Sequence, residues 1–130
     1  MAGQGKEQEF GFLDRLHRPA EFSAVMASRA RTIGGCFELR YRRRPLTAAG
    51  QPVDRARLGL IIPKRFAKRA VLRNLLKRLA REAFRHTRLP PVDIVLRLAK
   101  APAADAGLGN SALRREWRET LNNLLAGVRQ

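Results

Sequence analysis

The chain has 130 residues, of which 45% are hydrophobic and 6% aromatic, and carries 27 Lys and Arg against 11 Asp and Glu, a net charge of +16. That length fits one domain with a modest core, and the apolar content excludes an ordinary disordered basic tail. The charge excess repels itself in a compact fold, so it points to a polyanionic partner, either nucleic acid or an anionic membrane surface.

Residues 1–9 read as a flexible tail: they are polar, hold Glu7 and Glu9, and do not make a secretory signal. No stretch reaches the roughly 18 apolar residues of a spanning helix. Cys36 is the single cysteine and excludes an internal disulfide, so the expected compartment is the cytoplasm, with no membrane association. Pro19 suits a first helical turn, and Phe22, Val25, Met26 and Arg29 follow at i, i+3, i+4 and i+7, which predicts a helix over 19–29. Phe37 to Arg42 alternates apolar and polar residues, the period of a half-buried strand. Residues 45–55 read as a loop, and Arg57 to Ile62 as a more buried strand ended by Pro63.

A helix is predicted over 69–86 and a strand over Val92–Leu98, with a linker over 101–110. Ser111 can cap a last helix striped by Leu113, Trp117, Leu121, Leu124 and Val128. The order of elements implies an α+β fold, a single-domain α-β sandwich with helices on one face of a small central sheet.

The helix over 69–86 carries the chemistry. From Lys64 to Arg85 there are nine basic residues against one acid, Glu82, a net +8. At about 100° per residue, Leu72, Leu75, Leu76, Leu79, Ala80 and Ala83 share an arc of about 140°. Arg69, Arg73, Lys77, Arg81 and Arg85 recur every four residues, where like charges repel by a few tenths of a kcal/mol per pair. Phosphates along that row would offset the repulsion, and arginine can grip them with two N–H groups. Asn74 and Arg78 lie among these cations. A charge run is usually a solvated face, but this spacing and this overall charge favour a partner. A membrane-surface helix would need large apolar groups on its exposed face, whereas these leucines face a sheet. Arg73 is expected to be removable at little cost in stability, and Leu79 only at a large one.

Catalytic groups do not assemble in the sequence. It has no Asp-x-Asp or His-x-x-x-His, and neither His17 nor His86 has an evident partner. Cys36, after Gly34-Gly35, reads as a small buried hydrophobe. Phe37 and Tyr41 share one strand face, with Arg40 and Arg42 on the other; spacing leaves open which face forms a groove. Any enzymatic activity is expected to come from a partner.

Leu58-Gly59-Leu60-Ile61-Ile62-Pro63-Lys64-Arg65, then Arg69-Ala70, then Arg73-Asn74-x-x-Lys77-Arg78-x-x-Arg81-Glu82, resembles the signature of the bacterial ribonuclease P protein component. Arg15 and Leu16 before the first helix, Asp93 at a strand start and the amphipathic last helix fit as well. The resemblance implies a ribonuclease P protein-type RNA-binding domain over 10–128. It also implies a left-handed β-α-β crossover through the basic helix, in a fold like that of a ribosomal protein domain.

In that family the protein is a subunit of a ribonucleoprotein endoribonuclease that removes the 5′ leader of precursor tRNA. Catalysis is carried by the RNA with magnesium (Mg2+) that the RNA mainly binds, and neither catalytic protein residues nor another protein partner are implied. Carried onto this chain, Arg69, Arg73, Asn74, Lys77, Arg78 and Arg81 would contact the catalytic RNA. A cleft of Phe22, Met26, Arg40, Lys64 and Arg65 would hold the leader. Three positions depart from the family pattern: Leu75 replaces a third basic residue, Met26 a second cleft aromatic, and Arg40 a strand tyrosine. The alternative reading of the charge is a non-catalytic ribosome-associated or RNA-chaperone protein.

Overall fold

The computed structural model describes residues 11–45, 50, 55–102 and 111–129. The predicted tail over 1–9, most of the 45–55 loop and most of the 101–110 linker lie outside the described residues. Strands β1 (Arg31–Gly34), β2 (Phe37–Arg43), β3 (Arg57–Ile61) and β4 (Val92–Leu98) form one sheet in the order β1-β2-β4-β3. β1 and β2 form an antiparallel hairpin, β2 and β4 are antiparallel, and β3 runs parallel to β4. Three helices accompany them: α1 (Pro19–Met26), α2 (Ala70–His86) and α3 (Ser111–Ala126). A 3-10 turn at Phe12–Asp14 precedes α1, and an isolated bridge from Arg15 to Leu58 extends the β3 edge.

The alternation in β2 and β4 sorts their side chains onto two faces. Phe37, Leu39, Ile94, Leu96 and Leu98 face α2 and α3, where they join Leu76, Leu79, Trp117 and Leu121 in the main core. Each fully buried leucine here contributes roughly 2 kcal/mol of transfer free energy. The opposite face is covered as well, which corrects the expectation that all helices share one face. Val95 and Ile61 point there and would be wet if left bare, and α1 lays Val25, Phe22 and Met26 over them, with Leu16 alongside. The helix predicted over 69–86 starts one residue later, at Ala70. The one predicted over 19–29 stops at Met26: Arg40 donates to the carbonyls of Met26 (2.8 Å) and Ser28 (3.3 Å), and the Ser28 hydroxyl donates to the Tyr41 carbonyl. The helix thus ends three residues before Arg29, and β1 begins at Arg31. β1 was not predicted because it is an edge strand whose Arg31, Thr32 and Ile33 are all exposed, so burial imposes no period on it.

Charged groups pin α1 to the sheet. Glu21 accepts from the backbone N–H of His17 (2.8 Å) and Arg18 (2.9 Å), closing the start of the helix. Its other oxygen accepts from Arg57 (2.8 Å), which also holds the buried Asp93 through two bonds of 2.8 Å. One guanidinium therefore ties α1, β3 and β4 together. The Arg18 N–H bond, with those from His17 and Arg57, outweighs burial and lowers the Glu21 carboxyl from 4.5 to about 2. A carboxylate whose folded pKa is depressed stabilises the fold above its unfolded pKa, and that stability is lost as pH falls from about 4.5 towards about 2. Urea titrations over this window should show a loss of roughly 1–3 kcal/mol assignable to Glu21, discounted for its partial exposure. Glu21→Gln should be less stable at neutral pH and should flatten that acid limb; an unchanged limb would show that the interaction is silent.

Candidate nucleic-acid interface

α2 has the two faces its spacing predicts. Leu72, Leu75, Leu76, Leu79, Ala80, Ala83 and Phe84 are buried, while Arg69, Asn74, Arg78 and Arg85 are exposed and Arg73, Lys77 and Arg81 half-buried. Leu75 is 7% exposed and packs in the main core. A basic residue at that position would have to thread its charge out of the core. Arg73 is not a free cation: its guanidinium donates to the carbonyls of Ala67 (3.0 Å) and Lys68 (2.8 Å) and clamps the segment leading into α2. Burial, followed by the nearby charge of Arg15, holds the Arg81 guanidinium below its ordinary value.

The cationic row and the cleft helix meet at the edge of β3. A pocket of about 290 Å³ there is lined by Arg15, His17, Phe22, Gly59, Lys77 and Arg81, among others. The family resemblance assigns Phe22 and Lys77 to separate surfaces, but the fold puts both on one cavity. Gly59 makes this possible: a Cβ at that position would lie 2.4 Å from the Phe22 ring. The half-buried ring therefore lies directly on the backbone of β3. Arg15 and His17 are lining residues that sequence reasoning left without an RNA role. The signal for them was weak, since the bridge from Arg15 to Leu58 is a tertiary contact.

The other cleft residues are placed as follows. Met26 is half-buried beside Phe22 and Ile61. Lys64 and Arg65 are exposed just beyond β3, with the Arg65 guanidinium 4.7 Å above the Phe66 ring. Arg40 lies on the α1 face of the sheet, but its donors go to Met26, Ser28 and Glu38 rather than into open space. Phe37 is 1% exposed in the main core, so the groove belongs to the Arg40 face. Glu38, Arg31 and Arg97 share that face and were missed. Alternation along β2 and β4 could have paired Arg40 with Glu38, and Val95 with Arg97, but not across strands. Among the described residues no helix is long and apolar enough to cross a membrane.

Known proteins share the sequence pattern and the fold. The model of the family "Ribonuclease P" matches residues 10–125. The ribonuclease P protein component of Azoarcus sp. is 44% identical over 104 residues, covering 78% of this chain and 80% of that protein. That of Bordetella parapertussis is 48% identical over 102 residues, covering 75% and 81%. Among solved structures, the RNase P protein from Thermotoga maritima aligns with a TM-score of 0.63 at 25% identity, covering 88% of this chain and all of that one. The Staphylococcus aureus RNase P protein shares the fold at a TM-score of 0.61 and 22% identity, over 85% and 94%. These matches favour the ribonuclease P reading over a ribosome-associated or chaperone protein. The chain belongs to the ribonuclease P protein component family.

Proposed function

We propose that this chain binds the catalytic RNA of ribonuclease P through the exposed side of α2 and the 5′ leader of precursor tRNA through the cleft beside α1. The RNA then carries out the endonucleolytic step that yields the mature 5′ end, in the cytoplasm. The observation that carries this reading is the pocket in which Phe22 of the cleft helix meets Lys77 and Arg81 of the basic helix. A groove that joins aromatic and cationic groups suits single-stranded RNA, whose bases stack while its phosphates pair. Cations on the protein also neutralise phosphate repulsion when two RNAs approach, which lowers the magnesium the complex requires. Among the described residues no three His, Cys, Asp or Glu side chains come together. In this reading the ion is held by RNA, and the protein contributes charge and position.

Reconstitution tests the proposal. The cognate RNA alone should cleave precursor tRNA poorly at low magnesium, and adding the protein should raise cleavage by an order of magnitude or more, whereas protein alone should give none. Absence of stimulation at any magnesium concentration would remove the proposal.

A further inference from the structure

On the sheet face beneath α1, register aligns side chains into rows. One row runs Ile33, Glu38, Arg97, Ile61 across β1, β2, β4 and β3; the next runs Arg31, Arg40, Val95, Gly59. Glu38 is 1% exposed. Its carboxylate accepts from the Nε of three arginines: Arg31, Arg97 at 3.1 Å and Arg40 at 3.4 Å. Burial alone would raise its pKa, but bonds from Arg31 and Arg97 and the charges of Arg97 and Arg40 lower it, so the group is ionised.

One carboxylate against three guanidiniums leaves two positive charges in excess. One arginine is enough to balance the charge of a buried glutamate, and Glu38 has three, of which Arg40 also closes the end of α1. Arg31 and Arg97 go beyond that need. Each turns its Nε to Glu38, yet their side chains remain 49% and 30% exposed. An arginine held through Nε keeps terminal N–H groups for another acceptor. Arg97 also sits opposite Ile61, which packs with Phe22 and Met26. The cationic row therefore continues the cleft floor towards the β1 edge.

We propose that Glu38 is a positioning residue that fans Arg31 and Arg97 into a phosphate-binding track for single-stranded RNA. The 5′ leader follows this track after passing Phe22. The inference rests on the cleft being the leader site. It gives this cleft a grip on the RNA backbone at the positions where Met26 and Arg40 stand instead of aromatic groups.

The experiment compares holoenzymes carrying the wild-type protein, Arg31→Ala/Arg97→Ala, Glu38→Gln and Phe22→Ala. Binding to precursor tRNA is measured over a series of leader lengths and two salt concentrations, with leaderless tRNA and the catalytic RNA alone as references. The double arginine variant should lose about ten- to a hundredfold of the affinity gained by lengthening the leader, and the salt slope should flatten by about 2. Glu38→Gln should also weaken long-leader binding, although it makes the cleft more positive by one charge. Tighter binding by Glu38→Gln would show that bulk charge, not positioning, matters, and would overturn the role of Glu38. If Glu38→Gln or the double variant does not fold, Arg31→Ala alone decides, with about half the expected loss, because Arg31 lies on an exposed edge strand and its removal leaves Arg97 and Arg40 on Glu38. A leader gain intact in the arginine variant but lost in Phe22→Ala overturns the track and leaves the cleft in place. A gain intact in both overturns the cleft reading itself. Weakening confined to the catalytic RNA assigns the arginines to that partner and also overturns the track.

Discussion

Replacing Lys77 and Arg78 together with alanine is expected to weaken binding of the catalytic RNA by about 30- to 1,000-fold, at roughly 1–2 kcal/mol for each lost phosphate contact. Both lie on the side of α2 away from its buried leucines, and neither holds an ion pair among the described residues. Their removal relaxes repulsion along the cationic row, so the fold should be as stable as before. The log–log salt slope should become shallower by about 2. Filter binding over a salt series checks both numbers, and unchanged affinity would show that this face does not meet RNA. Arg73 is the poorer probe. Its bonds to the Ala67 and Lys68 carbonyls mean that Arg73→Ala loses roughly 1 kcal/mol of stability along with any RNA contact. The expectation of a variant silent in stability thus gives way to a mixed effect.

Leu79→Ala should have the opposite profile. Leu79 is 1% exposed in the core between α2 and the sheet. Its truncation should remove roughly 2–4 kcal/mol through lost transfer energy and the cavity left behind. For a domain of this size that lowers the melting temperature by roughly 10 °C. Thermal unfolding measures the shift, and RNA binding at low temperature should be close to wild type because the cationic face is untouched. A normal melting temperature would mean that α2 does not dock through its leucine face.

Together these variants separate two properties of one helix. Leu72, Leu76 and Leu79 secure α2 to the sheet, while Arg78 faces outward and the half-buried Lys77 borders the cleft pocket. The same division extends to α1, where Val25 is buried and Phe22 is only partly so, its ring against Gly59. Phe22 is thus both packed and available, and Glu21 and Arg57 fix the helix that presents it.

Patterns local in the chain were legible from the sequence. α2, β2 and β4 were marked to within a residue: α2 by the 3.6-residue period of its one buried stripe, β2 by its apolar-polar alternation, and β4 by a largely apolar run that is buried on both faces. The Arg73-Asn74-x-x-Lys77-Arg78 motif carried the family for the same reason: its residues are close in sequence and share one helix. What depends on contacts distant in sequence was decided by tertiary structure. β1 has no buried face and so no period, and it exists by pairing with β2. The position of α1 on the second sheet face follows from Val95 and Ile61 needing cover. Arg40 and Arg73 read as free cations along the chain, yet the fold gives their donors to carbonyl groups, 14 residues away for Met26 and six for Ala67. Glu38, Arg31 and Arg97 meet only because strand register lays them side by side, a relation that spans 59 residues between Glu38 and Arg97. Composition and period thus determined that a basic helix with one apolar face exists, while strand pairing and long-range hydrogen bonds determined which of its cations, and which beyond it, are available to RNA.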